Sequence, residues 1–246
     1  MRKIRVIVCG ALGRMGQEVI SLVQSGEDMA LSAAVDRGGG DGIFSSIDAF
    51  SGEADVVVDF SHHSAIAEIL SYCKGKKLPV IVATTGHTEG ELSLVEQAGE
   101  EIPVFQSANM SLGVALLAKL VKQAAAVLRG CDVEIIEKHH NRKLDAPSGT
   151  ALVLAEAVKS QRPDSVYVCG RGGMRKREAN EIGIHSLRLG NVVGEHEVIF
   201  SMDSQSISLK HEAHDRSLFA EGAIAAAHFM VGKPAGLYRM EDLVGQ

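Results

Sequence analysis

Short apolar runs, punctuated by glycine and polar turns, dominate the first hundred residues. Ile4, Val6, Ile7 and Val8 form a nearly continuous apolar stretch, which suits a strand buried on both faces. Gly10-Ala11-Leu12-Gly13-Arg14-Met15-Gly16 follows at once, and Val19, Ile20, Leu22 and Val23 then recur at helical spacing. Leu31 to Val35 predicts a second strand and Ala54 to Phe60 a third, with a helix from about Ser64 to Cys73 behind it. Pro79 to Ala83 and Pro103 to Phe105 predict a fourth and a fifth. Strands alternating with helical segments at this spacing predict an α/β fold built on a Rossmann-type doubly wound parallel sheet.

The pattern changes in the second half. Gly113 to Leu128 reads as a long amphipathic helix leading into a second domain. Cys131 to Lys138 predicts a strand in which Val133 and Ile135 share a face. Strict alternation would send His139 and His140 to opposite faces, so the strand must end near them if both meet one ligand. Ala151, Leu152, Leu154, Ala155 and Val158 mark a helix over about 149–160. Gly170 to Gly173 and the charged run Arg175 to Glu178 read as an exposed, mobile loop. Ile182 to Leu189, Glu195 to Phe200 and Ser206 to His211 have strand character with no helix between them, which predicts an open mixed or antiparallel sheet in a second, α+β domain. A helix rich in small residues, Ser217 to Met230, comes last.

Composition narrows the function classes. The 246 residues leave room for one large domain or two smaller ones, and 46% hydrophobic with 23% charged residues describes an ordinary globular chain. A net charge of −6 without a basic tract, no Trp, 3 Tyr and 7 Phe argue against a nucleic-acid partner. Positive charge that meets an anionic ligand must therefore be local. Cys9, Cys73, Cys131 and Cys169 show neither CxxC pairing nor zinc spacing and read as reduced thiols of a cytoplasmic protein. The apolar run after Met1-Arg2-Lys3 is short and broken by Arg5, and Lys119 and Lys122 interrupt the best helical candidate, so no membrane span is expected.

Strand, glycine turn and helix start form the context of a dinucleotide site, here with G-x-x-G-x-x-G spacing. Asp36, twenty residues after Gly16 at the end of the second strand, can bind the adenine ribose hydroxyls of NAD, and Arg37 beside it can hold the extra phosphate of NADP. A solvated Asp-Arg pair is the alternative. Ligands of such sheets bind beyond the carboxyl ends of the strands, where Thr84, Thr85 and Asn109 can reach a nicotinamide ribose or carboxamide, or simply serve the turns. His62 and His63 lack a carboxylate or cysteine at metal spacing and read as solvated loop histidines, so no metal is expected.

The chemistry concentrates between Glu134 and Ala151. His139 can change protonation near neutral pH, and Lys143 is a fixed cation. Ser148 sits where a helix N-cap belongs, and Gly149 lets a ligand approach the backbone closely. The N–H groups at such a helix start, with the positive end of the dipole, form an anion site. The alternative is a strand, a polar loop and a capped helix with solvated histidines.

Glu137 to Ala151 fills every fixed position of E-x-H-H-x-x-K-x-D-A-P-S-G-T-A, and so resembles the signature of the dihydrodipicolinate reductase (4-hydroxy-tetrahydrodipicolinate reductase) family. GALGRMG after the first strand is similar to that family's nucleotide loop, and the Asp36-Arg37 pair also has its counterpart there. ATTG from Ala83 and the segment Ser107-Ala108-Asn109-Met110 resemble the family's GTTG and AANFSxG, with Ala83 and Met110 as departures. His211 to Ala223 resembles the closing H-x-A-x-x-R-x-x-F-A-x-G-A, and the resemblance runs from Ile4 to Leu243.

What the resemblance implies is specific. The expected reaction reduces (2S,4S)-4-hydroxy-2,3,4,5-tetrahydrodipicolinate to (S)-2,3,4,5-tetrahydrodipicolinate with NADH or NADPH and loss of water, in the diaminopimelate route to lysine. On residue chemistry His139 is the first choice of general acid and Lys143 the second. Lys143, to which the family assigns proton donation, can also hold a substrate carboxylate or polarise the ring. His140, Gly149 and Thr150 are expected to bind a small cyclic dicarboxylate. Gly10, Ala11, Leu12, Gly13, Arg14, Met15, Asp36, Arg37, Ala83, Thr84, Thr85, Ser107, Ala108, Asn109 and Met110 are expected around the coenzyme. The implied organisation is a dinucleotide-binding domain from 1–109 with 217–246, a substrate-binding and oligomerisation domain from 110–216, and a homotetramer. Another Rossmann oxidoreductase, or a non-catalytic NAD(H)-sensing module, would share the first hundred residues' logic but leave HHNRKLDAPSGT without a purpose.

Overall fold

The apolar run that opens the chain becomes β1 (Ile4–Cys9), followed by α1 (Arg14–Ser25), β2 (Met29–Val35), β3 (Ile43–Phe44), β4 (Val56–Asp59), α2 (Ile66–Lys76), β5 (Val80–Val82), α3 (Glu89–Gly99) and β6 (Pro103–Gln106). Then come α4 (Leu112–Val127), β7 (Asp132–His139), α5 (Gly149–Lys159), β8 (Val166–Cys169), β9 (Glu181–Arg188), β10 (Gly194–Met202) and β11 (Gln205–Ala213). The chain closes with α6 (Ser217–Met230), β12 (Gly236–Tyr238) and α7 (Met240–Val244). The computed structural model describes residues 2–245, in two compact units: residues up to 112 together with those from 217, and residues 113–216.

The first unit holds a seven-stranded sheet in the order β12-β6-β5-β4-β1-β2-β3, with every pair parallel. This is a doubly wound α/β sheet, and the strand order reverses between β1 and β4. Its register decides where a site can form. Cys9 lies opposite Val35 and Asp59, Asp59 opposite Val82, and Val82 opposite Gln106, so four strands finish level with β1 along one rim. Val6, Ile7 and Val8 are wholly buried, as are Val56, Val57 and Val58. Burial on both faces is what their unbroken apolar runs require, and each such side chain contributes about 1.5–3 kcal/mol.

Two helices seat directly on backbone through glycine. A Cβ on Gly16 of α1 would stand 2.0 Å from the Gly10 carbonyl oxygen, and one on Gly222 of α6 would stand 1.6 Å from that of Met110. Gly10 itself has φ +81°, and a side chain there would meet the Phe60 carbonyl oxygen at 2.5 Å. The turn after β1 is thus pressed against the end of β4.

The second unit contains a five-stranded sheet in the order β11-β10-β7-β9-β8. β7, β9 and β8 run parallel, whereas β10 and β11 join antiparallel, so the sheet is mixed. Val133 and Ile135 of β7, Ile182 and Ile184 of β9, and Val198 and Phe200 of β10 pack with Leu154 and Val158 of α5 and Leu117 and Val121 of α4. β7 ends at His139, which leaves His140 outside the strand's pleat.

The short strands β3, β8 and β12, of two to four residues, carry too little pattern to stand out in the sequence. The loop before β9 is exposed, as expected, and its arginines make ion pairs. Arg171 and Arg175 both bond Glu181, and Arg177 reaches Asp132 at 2.8 Å and Glu134 at 3.2 Å. Among the described residues, no helix is long and apolar enough to cross a membrane.

Candidate active site

Two clefts open along the rim of the parallel sheet. One, of about 480 Å³, is lined by Gly10, Gly13, Asp36, Arg37, Ser46 and the Phe60–His62 turn, among others. The other, of about 400 Å³, is lined by Met15, Ala83, Thr84, Thr85, Ala108, Met110 and the same Phe60–His62 turn. They meet at the end of β4, the switch point where such sheets take their ligands. α1 begins after Gly13 with no side-chain cap, so its first N–H groups remain available at the positive end of the helix dipole. Asp36 braces this loop, accepting from the Leu12 N–H at 3.0 Å through one oxygen and the Gly38 N–H at 3.1 Å through the other. A carboxylate has about four lone-pair sites, so capacity remains for ribose hydroxyls. Arg37 extends to the Ser64 hydroxyl at 3.2 Å. The cradle fits a dinucleotide: glycines admit the backbone, a helix start faces an anion, and an acid and a cation flank it.

Not every expected coenzyme residue faces these clefts. Ala11 is buried, and its N–H donates to Val35. Leu12 and Arg14 are exposed and line neither cleft. Ser107 donates its hydroxyl to the Asn109 carbonyl at 2.7 Å, and the Asn109 side chain accepts from the Ser111 N–H at 2.9 Å, so both shape the turn that presents Ala108 and Met110. Beneath the rim lies Asp59, wholly buried, whose carboxylate accepts from the Ser61 N–H and hydroxyl and, at 3.0 Å, from the Thr84 hydroxyl. Burial pushes its pKa up against these bonds.

His62 is exposed, as expected, and borders both clefts, whereas His63 is half-buried with its Nδ1 2.9 Å from Glu91. The Thr88 N–H, with His63, holds the Glu91 carboxylate down at about 2. Among the described residues, no group of three or more His, Cys, Asp or Glu side chains is placed to hold a metal ion.

The second unit gathers its polar side chains at one end of its core. Along the face that begins with Val133 and Ile135, β7 continues with Glu137 and His139, so the same pleat turns from apolar to polar. Register brings Ser186 opposite Glu137 and Arg188 opposite His139 from β9, and His196 opposite Glu137 from β10. Glu137 is fully buried. Its Oε2 lies 2.5 Å from His139 Nδ1 and accepts from Arg188 Nη1 at 2.8 Å. Its Oε1 accepts from Arg188 Nη2 at 2.7 Å and from the Ser148 N–H at 3.1 Å. Burial opposes ionisation, yet the bonds from Arg188, His139, Ser186 and Ser148 hold its pKa down at about 2.

Ser148 caps α5, accepting from the Ala151 N–H at 3.2 Å, and its hydroxyl also meets His196 Nε2 at 3.1 Å. The His196 ring stands edge-on to that of His139, 5.1 Å between centroids, and burial pushes its pKa down to about 4. Gly149 opens the first turn, and a Cβ there would meet nothing within 4 Å, which leaves its backbone open to a ligand. Thr150 follows in the same turn. Lys143, about a quarter exposed, pairs with Asp145 at 3.0 Å. The pKa of His140 is lowered by burial, with Arg142, Arg216, His139 and Lys143 adding to the effect. The structure therefore gathers His139, His140, Lys143, Gly149 and Thr150 around one loop. It adds Arg188, Ser186 and His196, which only the strand register could have revealed.

Family models described as the N-terminus and the C-terminus of dihydrodipicolinate reductase match residues 4–110 and 113–244. The chain is 47% identical to the 4-hydroxy-tetrahydrodipicolinate reductase of Caldanaerobacter subterraneus subsp. tengcongensis, over 98% of both sequences. It is 43% identical to that of Clostridium tetani, over 98% of this chain and 97% of the relative. Among solved structures it is similar to the dipicolinate-bound dihydrodipicolinate reductase of Paenisporosarcina sp. TG-14, with a TM-score of 0.80, 25% identity, and coverage of 98% of this chain and 99% of the other.

Proposed function

The chain belongs to the dihydrodipicolinate reductase family through both of its units, and on that premise we propose how its own residues divide the work. The activity is reduction of (2S,4S)-4-hydroxy-2,3,4,5-tetrahydrodipicolinate to (S)-2,3,4,5-tetrahydrodipicolinate with NAD(P)H and loss of water, a step of lysine biosynthesis. Bound NADH or NADPH supplies the hydride. The Gly10–Gly13 turn and the start of α1 take the pyrophosphate, Asp36 the adenine ribose, and Arg37 the additional phosphate of NADPH. Thr84, Thr85, Ala108 and Met110 border the nicotinamide half.

His139 is the acid. The observation that carries this reading is its bond to Glu137: an ionised carboxylate only accepts, so Nδ1 carries the hydrogen of that bond and Nε2 is left to deliver a proton. Lys143 places a fixed cation beside it, which holds a substrate carboxylate and polarises the ring. The N–H groups of Gly149 and Thr150 take a carboxylate at the start of α5. A small cyclic dicarboxylate meets this arrangement with one anion for each.

The test follows NADH and NADPH oxidation by the purified chain, with the unstable substrate generated in place from pyruvate and aspartate semialdehyde by a synthase. Rapid oxidation by the wild type is expected. Lys143→Ala should lose at least about a hundredfold in turnover, the scale of a transition-state charge contact, while NADH binds with unchanged affinity. Tight NADH binding without oxidation by the wild type would overturn the assignment, and so would a Lys143→Ala variant impaired only in NADH affinity.

The assembly belongs to the same proposal. The face of the five-stranded sheet that carries Glu134, Ile136 and Lys138 of β7 with Glu197 and Ile199 of β10 is only half-buried. A homotetramer formed through it would cover those side chains, and a monomer in sedimentation equilibrium would rule this out. Cys9, Cys73 and Cys131 are buried and unpaired, and Cys169 is exposed and unpaired, which suits the reducing cytoplasm. Recovery of the protein from any other cell fraction would contradict that placement.

A further inference from the structure

We propose that Glu137, clamped by Arg188, is the positioning residue of the site, fixing the His139 imidazole and aligning with it both the start of α5 and the loop that carries Lys143. The proposal rests on the reading of His139 as the acid.

Donors crowd both oxygens of one buried carboxylate, Ser186 among them. Oε2 takes His139 Nδ1 at 2.5 Å and Arg188 Nη1 at 2.8 Å, while Oε1 takes Arg188 Nη2 at 2.7 Å and the Ser148 N–H at 3.1 Å. Arg188 holds Glu137 through both ends of its fork, the geometry in which guanidinium and carboxylate fix each other's plane. The same Nη2 reaches the Asp145 carbonyl at 2.6 Å, and the Asp145 carboxylate holds the Lys143 ammonium at 3.0 Å. A continuous path thus runs from His139 through Glu137 and Arg188 to Asp145 and Lys143. A branch leaves Glu137 for Ser148, which caps the helix that opens at Gly149 and Thr150. Proton donor, cation and carboxylate cradle are registered to one another by a single anion.

Stability alone does not account for the pair. A buried ion pair pays desolvation on both partners, and an apolar pair of similar volume is often as stable or more so. The same face of the sheet shows that alternative in use at its other end, where Val133, Ile135, Ile182 and Ile184 are buried. The ionised pair therefore supplies what an apolar pair cannot, a defined tautomer and orientation. The charged and titratable groups facing His139 are Glu137 on β7, Arg188 on β9, His196 on β10 and His140 on the loop, with Lys143 acting on His140 and His196. Glu137 is the anion among them in direct contact with the ring.

The experiment compares Glu137→Gln, Glu137→Asp and the double variant Glu137→Gln/Arg188→Met with the wild type, each as the full chain, with His139→Asn as the spectral and kinetic reference. The readouts are imidazole 15N–1H correlations of His139, the kcat and KM of reduction, the NADH dissociation constant and the melting temperature. In the wild type, Nδ1 should carry a hydrogen in the neutral ring. Glu137→Gln should release that tautomer and lower kcat by roughly 10²–10⁴-fold, the scale lost when the carboxylate behind a catalytic imidazole becomes an amide. NADH affinity should stay within about twofold, since the coenzyme clefts lie in the other unit and a tenfold change would need about 1.4 kcal/mol. Glu137→Asp should recover part of kcat, because the charge survives at a greater distance. The double variant removes the unpaired guanidinium, so it should regain melting temperature without regaining kcat or the tautomer. Recovery of kcat together with melting temperature in the double variant would make the pair merely structural and overturn the proposal, as would an unchanged His139 tautomer in Glu137→Gln. Wild-type kcat in His139→Asn would instead remove the reading beneath it, so the two failures are distinguishable.

Discussion

Alanine at Gly16 tests whether the coenzyme loop depends on close packing of α1. The new Cβ would stand 2.0 Å from the Gly10 carbonyl oxygen and 3.0 Å from the Ala11 Cα, where ordinary contact begins at 3.4 Å. Helix or loop must therefore yield by about 1.4 Å, the difference between 3.4 and 2.0. Neither obstacle is a side chain that can swing away; both are backbone of the turn proposed to take the pyrophosphate. Overpacking of this kind costs about 1–3 kcal/mol, against about 1 kcal/mol that alanine gains over glycine inside a helix. The net expectation is a loss of up to about 2 kcal/mol, or up to several degrees of melting temperature for a chain of this size. NADH should bind at least about tenfold more weakly, because the loop has moved by more than a hydrogen bond tolerates. The matched control is Gly75→Ala in α2, an exposed helical glycine whose added Cβ would meet nothing within 4 Å. That variant should gain up to about 1 kcal/mol and leave NADH affinity unchanged. Calorimetry and NADH fluorescence titration read both quantities. If the two variants stabilise alike and bind NADH alike, the close approach of α1 to Gly10 is not what shapes the loop.

Two further outcomes follow from the carboxylates. Asp36→Ala should weaken both coenzymes, since the Leu12 and Gly38 N–H groups lose their acceptor, but should raise the Michaelis constant for NADH more than for NADPH; equal effects would remove Asp36 from ribose recognition. Glu137 is held at about 2 against an ordinary 4.5, so its contribution to stability is fully present above pH 4.5 and is lost as pH falls through 2. For a side chain with no exposure, a shift of 4.5 − 2 = 2.5 units corresponds to the order of 3 kcal/mol. Glu91 and Glu181 are also held at about 2, so melting temperature should fall with acid in any case. Across pH 5 to 2, however, Glu137→Gln should fall less steeply than the wild type, and parallel curves would refute the assignment.

Hydrophobic pattern carried most of the fold. Continuous runs such as Val56–Val58 announce strands covered on both faces, and alternation in Asp132–His139 announces a strand with one face buried. Both depend on local solvent exposure, which neighbouring residues in the chain report. The antiparallel joining of β10 and β11 was legible for the same reason, since strands without intervening helices turn back on themselves. The ion pairing of the loop before β9 was not: Arg175 and Arg177 look like any solvated charge run until Glu181 and Glu134 are brought within reach of them.

The candidate site divides along the same line. The glycine turn, Asp36, and the loop from His139 to Thr150 each lie within a short stretch, so residue type and spacing were enough to single them out. Glu137 was visible only as a motif letter, and Arg188 and His196 gave no signal at all, because their roles are set by pairing across β9 and β10 some fifty residues away. Sequence by itself determined the two sheet types, the residues offered by the loop and the family. Tertiary structure alone decided which glycines lie against backbone and which carboxylate is buried against an arginine, because close approach and buried charge pairing are properties of distance in space, which spacing along the chain does not encode.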